Sequence, residues 1–251
     1  MSDSFRTRLR RGDLLVGTIV GLDAPEVIEI LVGAGFDWLF LDAEHAPASP
    51  QNLQRLIIAA GSTPCLVRLP TQDEIWVKRA LDSGAAGIIV PQVNTAAQAA
   101  NIVRYAKYPP EGARGIGIAR ALGYGYEVAD YIGRANAETV VMVQAEHLEA
   151  VRNIEAIAAV PGIDGFFVGP YDLSASMGKT GQVADPEVVA AIDTVSRAGK
   201  ARSLSLGIFG VSPESVAPRI AAGYTLVACG VDTMLLGNGA RAVAQALKPA
   251  R

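Results

Sequence analysis

The chain has 251 residues, 50% hydrophobic, 19% charged and 6% aromatic, with a formal net charge of −3. That length suits one large domain or two small ones, and a half-apolar composition excludes a disordered chain. The mild negative charge argues against a nucleic-acid or anionic-membrane partner, because both favour clustered Lys and Arg.

Residues 1–13 (MSDSFRTRLRRGD) lack an apolar h-region, so no secretory signal is expected. No uninterrupted apolar run approaches the ~20 residues of a membrane span. From there, short apolar runs alternate with helical patterns. The first run, LLVGTIV (14–20), leads into Gly21 without a G-x-G-x-x-G pattern, so a dinucleotide fingerprint is absent. Asp23-Ala-Pro-Glu26 has the form of a capping box and predicts a helix start. Gly33-Ala-Gly35 punctuates the approach to WLFLDAE (38–44). Ser49-Pro50 sets a cap before a proline and opens the next helix, which leads to PCLVRLP (64–70). Gly84 precedes GIIVPQV (87–93). The segment Tyr108–Glu138, rich in Gly, Arg and Tyr, then breaks the rhythm, and we expect it to form a loop at the active-site face. VVMVQAE (140–146), Gly162, GFFVGPYD (165–172), Asp185-Pro186, SLGIF (205–209), Ser212-Pro213, Gly223 and TLVACGVD (225–232) complete the alternation. The last segment carries an apolar stripe, Met234-Leu-Leu and Val243-Ala-Gln-Ala-Leu247. It needs either a partner surface or this chain's own barrel. Cys65 and Cys229 sit in apolar runs and read as reduced core residues of a cytoplasmic protein.

Most of the eight runs are near-continuous Val, Ile, Leu and Phe, as in strands buried on both faces. Eight strands alternating with helices match a (β/α)8 TIM barrel, a single domain over 1–251. A doubly wound open sheet is the alternative; it would need fewer strands and a glycine-rich first turn.

In a barrel, residues at the C-terminal strand ends line the active site. Those ends carry Asp42, Glu44 and His45, then Arg68, Gln92 with Asn94, Gln144 with Glu146, Asp172, and Asp232. Taken singly, each is an ordinary polar residue at a loop; their joint placement points to a site. Glu146 and Asp172 suit a hard divalent cation such as Mg²⁺ or Mn²⁺, or else two loop carboxylates bonded to backbone N–H groups. His45 is the natural general base near neutrality, with Asp42, Glu44 or the more distant Asp82 as partner. The plainer alternative is a loop histidine bonded to a carbonyl. His147 is expected to start the next helix and face away, with contact to the metal shell as the alternative. Arg68 must meet an anion, either a substrate carboxylate or enolate, or Glu146 or Asp172 in an ion pair. Lys78, Lys107, Lys179, Lys200 and Lys248 all lie away from strand ends, which argues against Schiff-base chemistry and leaves metal-assisted enolisation open.

GAGFDWLFLDAEHAP (33–47), YPPEGARGIG (108–117), VQAE (143–146) and VGPYDLSASMG (168–178) resemble the HpcH/HpaI aldolase family over nearly the whole chain. The resemblance implies a metal-dependent class II aldolase that joins pyruvate or hydroxypyruvate to an aldehyde, with Mg²⁺, Mn²⁺ or Co²⁺ as cofactor. It implies His45 as the base, Asp82 of the L-D-x-G block as its partner with Asp42 as near neighbour, and Arg68 as stabiliser of the enolate. It also implies Gln144 as a substrate contact, Glu146 and Asp172 as metal ligands, and the backbone N–H of Tyr171 as a contact for the substrate carboxylate. A homohexamer, a trimer of dimers, with the last helix (about 233–248) on a neighbour, is implied as well. The chain departs from many relatives at Tyr171, at Ala145 and in Gly17-Thr-Ile-Val, where aldehyde preference is expected to be set. Two other readings stay open. One is a lyase like the citrate lyase beta subunit or malyl-CoA lyase, although no basic stretch suits the CoA phosphates. The other is a non-catalytic barrel that binds a keto acid.

Overall fold

The computed structural model describes residues 3–248. Its strands are β1 (Leu15–Val20), β2 (Trp38–Asp42), β3 (Cys65–Arg68), β4 (Gly87–Val90), β5 (Val140–Ala145), β6 (Gly165–Val168), β7 (Ser205–Gly210) and β8 (Leu226–Val231). All pair in parallel with their sequence neighbours, and β8 closes on β1 to make a complete barrel. Seven strands lie within an apolar run of the sequence, and β7 runs one residue past its own, to Gly210. Burial on both faces explains why those runs lack polar alternation.

Side chains alternate across each strand, so every second residue points inward. Leu15, Ile19, Trp38, Phe40, Leu66, Met142 and Phe167 fill the interior in layers. The opposite parity packs against the helices in a second and larger cluster. The bottom of the barrel is closed by helix α1 (Phe5–Arg11), whose Phe5 ring lies 6.4 Å from that of Trp38. Arg6 fixes this plug by donating to the buried Asp164 at 2.8 Å.

Several helix starts follow the sequence reading. Ser49, Asp185 and Ser212 each cap a helix with proline in its first turn. Gly35, Gly84, Gly162 and Gly223 take positive φ before the next strand. The predicted capping box at Asp23 does not form. Helix α2 (Pro25–Gly33) starts from Ala24 without a side-chain cap, because Asp23 instead accepts from Asn52 and Arg55.

The interruption at Tyr108–Glu138 is also placed differently from expectation. Helix α5 (Ala96–Ala106) follows β4 directly, so the extra residues fall between a helix and the next strand, at the N-terminal end of the barrel. There Arg114 donates to Asp82 Oδ1 at 2.7 Å and Arg120 to the Ser83 carbonyl at 3.0 Å. Both acceptors end helix α4 (Glu74–Asp82) or follow it.

Candidate active site

Strand parity builds the mouth. Phe40, Leu66 and Met142 point inward, so Asp42, Arg68 and Gln144, two residues later, do so one layer higher. Register then makes the first contact, because Asp42 of β2 lies directly beside Arg68 of β3. Arg68 donates from Nε to Asp42 Oδ1 at 3.0 Å and from Nη2 to Asp42 Oδ2 at 2.7 Å, a bidentate pair. Its Nε also lies 3.3 Å from Glu44 Oε2, and its guanidinium stands 5.3 Å over the Phe40 ring. The ion-pair partner of Arg68 is therefore Asp42, not Glu146 or Asp172. Burial alone would lift the Asp42 carboxyl, but the Arg68 guanidinium outweighs it and holds the group below its ordinary value. Among the described residues Arg68 Nη1 donates to none, and the guanidinium lines the cavity described below.

Glu146 follows β5 and is buried. Its Oε1 accepts from the Gln92 backbone N–H at 2.8 Å, and its Oε2 accepts from Gln144 Nε2. Gln92 holds a left-handed φ of 55° to make this contact, an uncommon conformation for a residue with a side chain. Gln72 steadies that turn by donating to the Gln92 carbonyl at 2.7 Å. Gly169 makes room for the cluster. A Cβ there would lie 2.8 Å from Glu146 Oε2 and 3.1 Å from Gln144 Nε2. Burial pushes the Glu146 carboxyl up to about 7, and Glu44 and Asp172 add to the rise. Burial raises Glu44 as well, against the pull of Arg68 and His45.

Asp172 lies in the first turn of helix α9 (Pro170–Ser176) and bonds to no other group among the described residues. The first-turn N–H groups of Tyr171 and Asp172 have no carbonyl partner within the helix. Tyr171 itself is 49% exposed. His45 presents 64% of its side chain to solvent, with Nε2 3.8 Å from Glu44 Oε2. Asp42 touches His45 only through the backbone, accepting its N–H at 3.2 Å.

Asp42, His45, Arg68, Gln144, Tyr171 and Asp172 line one cavity of about 610 Å³, whereas Glu44 and Glu146 are not part of its wall. Asp82 is not brought there, since it lies at the far end of the barrel with Arg114. His147 caps a short helix, its Nδ1 accepting from the Glu149 N–H at 3.1 Å. Asp232 clamps the β1 loop by accepting from Gly21 at 3.0 Å and Leu22 at 2.9 Å. Of the sequence departures, Tyr171 and Ile19 line the cavity. Ala145 faces the outer helices. Gly17 sits low, where a Cβ would lie 2.5 Å from the Trp38 carbonyl. The roles of the Gln92 N–H and of Gly169 were not read from the sequence. The one available signal was Gly169-Pro170 at the end of its run.

A divalent cation would suit this chemistry. Glu44, Glu146 and Asp172 are oxygen donors, Glu44 and Asp172 both add to the rise of the Glu146 carboxyl, and Gln144 Oε1 and Glu44 Oε2 are buried without hydrogen-bond partners. Hard cations favour such oxygens. No group of three His, Cys, Asp or Glu among the described residues is placed to enclose a metal.

Comparison with known proteins gives concordant matches. A family model described as HpcH/HpaI aldolase/citrate lyase matches residues 16–239. A hydroxypyruvate/pyruvate aldolase of Pseudomonas aeruginosa is 40% identical over 247 residues, covering 97% of this chain and 92% of that protein. A 4-hydroxy-2-oxo-heptane-1,7-dioate aldolase of Salmonella dublin is 40% identical over 248 residues, covering 97% and 94%. The crystal structure of a family protein from Burkholderia cenocepacia J2315 superposes with a TM-score of 0.94 at 35% identity, covering 99% of this chain and 100% of that one.

Proposed function

The chain belongs to the HpcH/HpaI aldolase/citrate lyase family, and we propose that it is a class II aldolase acting on a 2-oxo acid, pyruvate or hydroxypyruvate, and an aldehyde. It makes and breaks the carbon–carbon bond between them reversibly. The observation that carries this reading is the inward Arg68, locked by Asp42 in one mouth with Gln144 and Asp172, with Glu146 bonded to Gln144.

Glu146 and Asp172 would hold a divalent cation such as Mg²⁺, Mn²⁺ or Co²⁺. That cation supplies Lewis-acid polarisation of the substrate's keto oxygen. Asp42 aims the Arg68 guanidinium so that it faces the negative charge that develops on the same oxygen; Nη1 is the donor left for it. A fixed charge in a partly buried site acts with little reorganisation. The first-turn N–H groups of Tyr171 and Asp172 suit the substrate carboxylate. In cleavage, His45 takes the proton of the C4 hydroxyl, the C3–C4 bond breaks, and the aldehyde leaves an enolate that is protonated at C3. Gln144 positions Glu146 and offers its free carbonyl to the site.

A retro-aldol assay with and without EDTA tests the reading. Cleavage that stops on chelation and returns with Mn²⁺ supports it. A keto acid that binds without cleavage would favour the non-catalytic alternative. A CoA-dependent lyase is poorly served, because among the described residues the one Arg or Lys lining the mouth is Arg68, already paired.

We extend the proposal to assembly and setting. Helix α12 (Asp232–Leu247) leaves Leu236 65% and Leu247 81% exposed, which supports a homo-oligomer, with the hexamer as the expected form. Asp82, remote from its own chain's mouth, is proposed to partner His45 only across such an assembly. Two free cysteines support a cytoplasmic setting. No helix among the described residues is long and apolar enough to cross a membrane.

A further inference from the structure

The closed order of the barrel sets β1 four strands from β5 in either direction, so the ends of these two strands face each other across the mouth. Arg68 on β3, Gln144 on β5 and Asp172 after β6 serve the keto acid. His45, which takes the C4 hydroxyl proton, follows β2, the neighbour of β1. C4 belongs to the acceptor half of the bond, so the aldehyde stands towards β8, β1 and β2. There the cavity is lined by Ile19, Gly21, Leu22, Val231 and Thr233.

Strand β8 carries an irregularity beside this wall. Gly17 pairs with Ala228, but Ile19 pairs with Val231, so β8 holds one extra residue there. Gly230 takes the turn at a left-handed φ of 77°, and the buried Thr18 hydroxyl donates to its carbonyl at 3.0 Å. Such a bulge breaks the ladder and re-aims the side chains beside it. Here it brings Asp232, only 3% exposed, over the end of β1. Asp232 Oδ2 accepts from the Gly21 N–H at 3.0 Å and the Leu22 N–H at 2.9 Å, and Oδ1 accepts from the Thr233 N–H at 2.7 Å. Burying a carboxylate is costly, and these three N–H groups offset that cost. On the other side of Leu22, helix α3 (Pro50–Ala59) holds the Asp23 carboxylate through Arg55 at 2.8 Å. Leu22 is thus fixed from both sides.

Resting on the aldolase reading, we propose that Asp232 is a positioning residue for the acceptor: through the Gly21–Leu22 backbone it sets the wall that holds the aldehyde against the enolate. Gly21 and Leu22 line the cavity, whereas Asp232 does not, so it acts through them and touches neither substrate. The groups that form the enolate have ties of their own. Asp42 holds Arg68, and the Gln92 N–H holds Glu146. Loosening the clamp should therefore harm capture of the aldehyde and spare proton removal from the keto acid.

The test compares the Mn²⁺-loaded wild type with Asp232→Asn, Leu22→Ala and the double variant. Two reactions are followed: exchange of pyruvate methyl protons in D₂O without any aldehyde, and addition of pyruvate to propanal. Asparagine keeps the shape of aspartate but offers an NH₂ group where the clamp needs an acceptor. Asp232→Asn should lower kcat/KM for propanal about tenfold while exchange stays within about twofold of the wild type. Leu22→Ala should show the same split. The double variant should be no worse than the weaker single variant, because both act through one wall. Equal loss of exchange and addition in Asp232→Asn, or its failure to fold, would assign the clamp to the fold alone and overturn the proposal. Undiminished use of propanal by Asp232→Asn or Leu22→Ala would overturn it too, and so would losses that add in the double variant. In each of these cases a wild type that exchanges and adds leaves the aldolase reading standing. If the loaded wild type fails to exchange or to add, the aldolase reading fails and the role of Asp232 goes with it.

Discussion

At Glu146 two opposed demands meet. Burial lifts its carboxyl to about 7, while a backbone N–H and an amide hold its two oxygens in place. A proton and a cation therefore compete for one group near neutrality. Mn²⁺ affinity should plateau above pH 7 and fall about tenfold per pH unit below it. Titration calorimetry between pH 5.5 and 8 checks this; an affinity unchanged between pH 8 and 6 would contradict it. Glu146→Gln should weaken binding and flatten the profile. The metal-free protein should show the linked effect in stability. Its folded Glu146 binds a proton up to about 7 and the unfolded one only to the ordinary 4.5, so stability falls as pH rises through that window. His45 and Arg68 should separate in their variants. His45→Ala should keep metal binding and lose about 10²–10⁴-fold in cleavage, the usual contribution of one acid–base group. Arg68→Ala should lose pyruvate proton exchange as well, and it also strands the buried Asp42, at about 3–5 kcal/mol of stability. Arg68→Lys, which keeps a charge for Asp42, serves as the folding control. The positions of Asp42, Arg68 and Gln144 were legible because each ends an apolar run at inward parity. The left-handed turn at Gln92 was not, since nothing in Pro-Gln-Val-Asn marks a positive φ.

Among the elements, the strands were the most legible, because burial on both faces leaves a continuous apolar signature. Close strand packing adds a constraint at Gly87, where a Cβ would stand 2.3 Å from the Val140 carbonyl of the next strand. Backbone there cannot yield cheaply, so Gly87→Ala should cost about 1–3 kcal/mol, read from urea unfolding, without touching the mouth. Unchanged stability would mean that β4 and β5 can part at no cost. The segment Tyr108–Glu138 was legible as an interruption but not in its placement. Glycine and arginine mark a loop at either end of a barrel equally well. The deciding feature is α5, a helix of Ala, Ile and Val turns, which carries the chain to the bottom before the extra residues begin. Arg114 and Arg120 then anchor them around Asp82 and Ser83.

For the whole molecule, the outward apolar face of α12 is the feature that a barrel alone does not explain. Its apolar stripe was visible in the sequence, but periodicity does not say whether a stripe covers its own barrel or another surface. Here it leaves Met234, Leu235, Leu236, Val243 and Leu247 exposed, while only Asp232 is buried. Light scattering at micromolar concentration should give a mass several times that of one chain. Leu236→Glu combined with Leu247→Glu should shift it towards the monomer with the barrel still folded. A wild-type monomer at that concentration would refute the assembly.

Every role proposed for the mouth depends on its generating the enolate of a 2-oxo acid. The most direct measurement of that step is the exchange of pyruvate methyl protons for deuterium, followed by NMR with wild-type protein and Mn²⁺ and without any aldehyde. Steady exchange is expected, stopping on EDTA, returning with Mn²⁺ and lost in Arg68→Ala. Absence of exchange in the loaded wild type, or exchange indifferent to EDTA and to Arg68→Ala, would contradict it.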